Sequence, residues 1–184
     1  GDYSSAHREL LKIQDLPINS TKSNLLYLRA IADFYSGISN RKKQGDFFEK
    51  GIELAKKSKN DIQLADFYSG QMLRLLNKKR FDEANEYLKL LKKIDKAKVN
   101  KVDLIVPEAV LAARNGDFEK SNRLLVEAEK VLKETGKDWR NEIFLRSWQS
   151  EILLLQKNYE KLIEVTDQYQ QIALNNGFID YLPE

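Results

Sequence analysis

Gly116-Asp117-Phe118-Glu119-Lys120-Ser121 reads as the end of one apolar-periodic segment and the start of the next. The aromatic is followed three positions on by a small residue and four beyond that by a large apolar one: Phe118, Ser121, Leu125. The same spacing recurs as Tyr3, Ala6, Leu10, as Phe48, Gly51, Ala55, as Phe81, Ala84, Leu88, and more loosely as Tyr159, Leu162, Thr166. Positions i, i+3 and i+7 share one face of an α-helix. The chain is therefore predicted to be an array of helical hairpins, each turning at an element like Gly116-Asp117.

The lead aromatics are 45, 33, 37 and 41 residues apart, and periods in this range with two helices per unit mark helical solenoids. Taken in order, Gly1 to Gln14 reads as a helix stopped by Pro17. Ser20 to Ser23 offers caps for a helix carrying Leu25, Leu28, Ile31, Tyr35 and Ile38 and running to about Lys43. Gly45-Asp46 is predicted to turn the chain into a helix from Phe48 to Lys57. Asn60-Asp61 caps the next, and Lys78-Lys79-Arg80 forms the corner before Phe81 to about Ile94. Pro107 either bends the following helix or stands in its first turn. Gly136 ends the helix from Phe118, Asp138 caps one containing Trp148, and Tyr159 to Leu174 closes the set with Gly177.

The predicted fold is all-α, a right-handed superhelix (an α-solenoid) of antiparallel helix pairs with about nine helices. Residues 1–184 form one helical repeat domain, with a half repeat at 1–17 and repeats at about 21–59, 60–97, 98–136 and 138–177. The opening stretch matches a second helix and lacks an initiator Met, so the chain is expected to be a fragment of a longer protein.

Composition narrows the function. With 31 basic and 28 acidic residues the net charge is only +3, which does not suggest a nucleic-acid surface. The basic runs at Arg41–Lys43, Lys56–Lys59, Lys78–Arg80 and Lys92–Lys101 are expected mostly at helix C-termini, where cations complement the macrodipole. There is no cysteine, which removes disulfides and thiolate metal sites. No run of about 18 apolar residues is present, so no membrane span is expected. His7 is the single histidine, and no phosphate loop or dinucleotide fingerprint occurs. No catalytic residue, metal site or cofactor is predicted, and the chain is read as not an enzyme.

The second helices resemble those of tetratricopeptide (TPR) repeats. Ala6-x3-Leu10 with Pro17, Ala84-x3-Leu88 and Ser121-x3-Leu125 follow the family's Ala-x3-Phe ending, and the Gly-Asp-aromatic lead-in is shared. The first helices lack the Trp-x2-Leu-Gly-x2-Tyr pattern apart from Trp148, so the resemblance is to a TPR-like array. It implies that first helices line a concave groove.

One identical pair stands out: Asp33-Phe34-Tyr35-Ser36-Gly37 and Asp66-Phe67-Tyr68-Ser69-Gly70, 33 residues apart. This spacing assigns the two copies to one structural position. Glycine inside a helix costs about 1 kcal/mol relative to alanine, so each needs a compensating reason. Close helix packing is the preferred reason over a ledge admitting a ligand. On the TPR resemblance the groove would hold Asp33, Ser36, Gly37, Asn40 and Lys43 beside Asp66, Ser69, Gly70, Leu73 and Asn77. An apolar peptide or helix held by Tyr35, Tyr68, Leu73 and Leu76 suits these positions better than a carboxylate clamp.

The expected function is non-catalytic binding of a protein or peptide, as the regulatory or sensing part of a larger bacterial, cytoplasmic protein. The alternative is a structural segment that self-associates through its open repeat ends. No nucleic acid or membrane contact is expected.

Overall fold

The computed structural model describes residues 20–136 and 139–176, together with Ser5, Arg8 to Leu10 and Lys12, which are helical. Eight α-helices are defined among these residues: α1 (Thr21–Gly37), α2 (Arg41–Lys57), α3 (Asp61–Asn77), α4 (Phe81–Leu91), α5 (Val102–Arg114), α6 (Phe118–Thr135), α7 (Trp139–Leu155) and α8 (Tyr159–Asn175). One 3-10 turn, Lys96–Lys98, follows α4. No strand occurs among them, and within each of the two compact units described below successive helices pack as neighbours, the all-α hairpin array predicted. The predictions at Pro17, His7, Asp138 and Gly177 fall outside the described residues.

Three-residue turns set the repeat. Ile38-Ser39-Asn40, Ser58-Lys59-Asn60, Lys78-Lys79-Arg80, Asn115-Gly116-Asp117 and Gln156-Lys157-Asn158 each join two helices. The middle residue is left-handed in all five, with φ between 54° and 80°. Only Gly116 meets that demand without a Cβ penalty. The third residue is the N-cap of the next helix. Asn40, Asn60, Asp117 and Asn158 each accept a hydrogen bond from the backbone N–H three residues on. Arg80 makes no such bond.

These turns correct the predicted register. Second helices begin at Arg41, Phe81, Phe118 and Tyr159, at intervals of 40, 37 and 41 residues. Gly45-Asp46 is no turn: both residues lie inside α2, and Phe48 is in its third turn. The Arg41-Lys42-Lys43 run therefore stands at the N-terminus of α2, against the macrodipole. Pro107 does not start α5, which begins at Val102 and carries the proline in its second turn. Gly136 ends α6 with φ 83°, as expected.

The chain divides into two compact units, one through Val99 and one from Asn100. In the first, Leu25, Ile31, Ala32, Phe48, Ile52, Met72, Leu75, Leu88 and Leu91 form the core. Its middle is a reciprocal lock between α2 and α3. Phe48 stands where a Cβ on Gly70 would come within 2.5 Å of its ring, and Phe67 stands 2.1 Å from the Cβ position of Gly51. The two rings meet edge to face at 6.4 Å, a geometry worth about 0.5–1.5 kcal/mol beyond area burial. Packing is thus the reason for glycine at position 70.

In the second unit, Val102, Val106, Val110, Leu125, Ala128, Leu145, Trp148, Ile152 and Val165 are buried. Here α7 rests on both α5 and α6. Ion pairs join these helices: Arg114 with Glu151, Lys120 with Glu108 at 3.1 Å and Arg146 with Glu129 at 2.6 Å.

Candidate functional site

Helix starts place Asp33–Gly37 in the last turns of α1 and Asp66–Gly70 in the middle of α3. With α1 and α3 both 17 residues long, Asp33–Gly37 aligns with Leu73–Asn77 instead. The identical pentapeptides therefore do not share a structural position, which corrects the sequence assignment.

The ten groove candidates are dispersed accordingly. Ser69 is 5% exposed and Gly70 is sealed by Phe48, so neither is open to a ligand. Tyr35, Tyr68 and Leu76, expected to grip an apolar peptide, are buried in the core. Leu73 is half-buried, Ser36 likewise, while Gly37 and Asn77 are exposed helix ends. The Asn40 oxygen is used as the α2 cap. Lys43 lies 5.1 Å above the Tyr35 ring, with its ammonium 3.4 Å from the Tyr35 hydroxyl. Tyr35 in turn stacks on Phe47 at 5.5 Å.

What the structure does bring together is Arg29 with both aspartates. Its Nε donates to Asp33 at 3.0 Å, and one Nη donates to the Asp66 carboxylate at 2.7 Å and the Asp66 carbonyl at 2.9 Å. The guanidinium also lies 5.6 Å over the Phe48 ring. Burial holds the Asp66 carboxyl above its ordinary range, opposed by Arg29 and reinforced by Asp33. This cluster clasps α1 to α3, because Arg29 on the first helix holds both the carboxylate and the carbonyl of Asp66 on the other.

Arg74 is more deeply buried, 8% exposed, and donates from Nε to Gln71 at 2.7 Å. Burial lowers its pKa. Gly45 makes room for it, because a Cβ there would sit 3.0 Å from the guanidinium carbon.

One open groove of about 400 Å³ lies in the first unit beside Asn24, Leu28, Lys50 and Leu54, and a more enclosed cleft lies in the second unit, where the sequence reading placed nothing. It encloses about 210 Å³ between α6, α7 and the first turn of α8. Leu125 and Leu153 are buried in it and Val126, 67% exposed, stands on it. Its polar lining is Asn122, Glu129, Gln149, Gln156, Asn158 and Lys161. Gln156 donates to Asn122 across α7 and α6 at 3.0 Å. Arg146 donates to both Glu129 at 2.6 Å and Gln149 at 2.7 Å. The legible signal was Gln149, on the face of α7 that also carries Leu153, and Gln156 just past the end of that helix, where apolar residues would complete the core. At 210 Å³ the cleft is smaller than the roughly 300–1,000 Å³ of sites that enclose drug-sized ligands. Its size suits a side chain of a partner.

Among the described residues, no cluster of His, Cys, Asp and Glu could hold a metal ion, and no helix is long and apolar enough to cross a membrane.

No family model matches the chain, and no curated protein sequence matches it. The fold is similar to that in the crystal structure of BtubC (BKLC) from P. vanneervenii, with a TM-score of 0.61 and 15% sequence identity. The match covers 100% of this chain and 77% of that one. At this identity the likeness concerns the fold alone.

Proposed function

We propose that this chain is a non-catalytic, TPR-like protein-binding module, serving as the regulatory or sensing part of a larger cytoplasmic protein. The observation that carries the reading is the side-chain-sized cleft of α6, α7 and α8, with buried leucines and a lining rich in carboxamides. Carboxamides both donate and accept hydrogen bonds and so match peptide groups. A hairpin array also presents such clefts on rigid helices, which suits recognition without a closing lid.

The test is an NMR titration of isotope-labelled protein with an overlapping library of peptides. Shifts centred on Asn122, Gln149, Gln156 and Lys161 support the module. Shifts confined to other surfaces, or none across the library, overturn it.

A self-association reading is favoured by one separate observation. Tyr159, Ile163 and Leu174 lie on one stripe of α8 and are 58%, 63% and 48% exposed. It requires the mass by light scattering to rise with concentration. A constant monomer mass removes it.

A further inference from the structure

The geometry points to a ligand with a definite charge: we propose that the cleft of α6, α7 and α8 binds a carboxylate side chain of an acidic peptide. The inference rests on the peptide-binding reading above and adds the chemistry of the bound group.

It follows from which ends of the carboxamides are already engaged. The Gln149 side-chain oxygen accepts from the Arg146 guanidinium, and the Asn158 oxygen accepts from the backbone N–H of Lys161. Guanidinium and backbone N–H groups only donate, so in both residues the atom facing the protein must be oxygen. The NH2 ends are thereby left out of these two bonds, on residues that both line the cleft. Gln149 is 7% exposed as a residue, and its amide nitrogen is not among the buried orphaned atoms, so this end of the side chain is open to solvent and to a bound group.

The Asn122–Gln156 pair adds one more donor and one acceptor whichever way its two amides are turned. Lys161 brings a cation to the same lining. Glu129, the one carboxylate there, is already paired with Arg146. The first turn of α8 adds the positive end of its dipole, because Asn158 is its N-cap. Donors and positive charge thus outweigh acceptors and negative charge. An oxyanion is the complementary group, and the buried Leu125 and Leu153 suit the methylenes of a glutamate.

The experiment titrates the labelled full chain with acetyl-hexaglutamate amide, acetyl-hexaglutamine amide and inorganic phosphate. The expected result is movement of the Gln149 and Asn158 side-chain NH2 resonances with hexaglutamate, at about tenfold tighter affinity than with hexaglutamine. Lys161→Glu should remove that preference without lowering the thermal midpoint, since Lys161 is exposed and a carboxylate in the first turn complements the α8 dipole. Gln149→Leu should weaken binding as well, and its circular dichroism reports whether the fold is kept. Equal response to the two peptides overturns the carboxylate while leaving the peptide-binding reading intact. An unaltered response of Lys161→Glu does the same. Phosphate moving these resonances as strongly as hexaglutamate overturns the acidic peptide in favour of a free oxyanion. No movement with any probe overturns the inference, and the peptide library then decides the wider reading separately.

Discussion

Asp33–Gly37 and Asp66–Gly70 are letter-for-letter the same, yet beyond two aspartates held by Arg29 and two buried tyrosines their surroundings differ. In the first, the aspartate side chain is 55% exposed and the glycine ends α1 in the open. In the second, serine and glycine are buried mid-helix against α2, with the ring of Phe48 filling the space a methyl would need. The difference arises because the turns, and not the pentapeptides, fix where each helix starts. A five-residue identity does not carry its environment with it.

Matched substitutions sharpen the contrast. Ser69→Arg should cost about 3–5 kcal/mol in urea denaturation, because it forces an uncompensated charge into the α2–α3 interface. Ser36→Arg should stay within about 1 kcal/mol. Equal losses would mean that the two serines share an environment after all. Next in size, Gly70→Ala should lose about 1–3 kcal/mol through overpacking against Phe48. Gly37→Ala should be neutral or gain up to about 1 kcal/mol from a less flexible unfolded chain.

The aspartates differ less. Asp66→Ala should lose about 1 kcal/mol by removing one of the two carboxylates that hold Arg29, discounted because the Asp66 side chain is 41% exposed. Asp33→Ala should change stability by no more than about 0.5 kcal/mol. The Asp66 pair also carries a pH signature. Its folded pKa is raised, so its stabilising contribution is fully present below the ordinary carboxylate range and is lost as pH rises through the raised value. Asp66→Asn should therefore remove a shallow fall in stability over that window. A stability–pH curve identical to that of the parent would contradict the raised value.

The smallest effects test the register itself. Ser39 and Lys79 differ in sequence but occupy the same left-handed turn position, with φ 57° and 58°. Ser39→Gly and Lys79→Gly should each stabilise by up to about 1 kcal/mol, and by similar amounts. Unlike responses here would break the alignment by turns that separates the pentapeptides.

Much of the fold was legible because apolar spacing encodes a helix face directly. The starts at Phe81, Phe118 and Tyr159, the Asn60 cap and the Gly136 stop could all be read from residue type. The first hairpin was misread because Gly45-Asp46 imitates Gly116-Asp117, while the actual turn uses Ser39, whose side chain does not announce a positive φ. Gly45 serves a different purpose, clearing space for Arg74, and such a purpose depends on a partner 29 residues away. The unit 2 cleft was hidden for the same reason. Gln149 looks like an ordinary polar residue until Arg146 is seen holding its oxygen.

The three-residue turn has a further consequence for how the chain comes to be folded. Its left-handed residue and Asn or Asp cap close a hairpin using groups adjacent in sequence, so most stabilising contacts are local ones. Chains dominated by short-range contacts cross small entropic barriers and fold quickly. During synthesis each hairpin can form as soon as its second helix has left the ribosome. Within each compact unit the next pair then adds to a surface already in place.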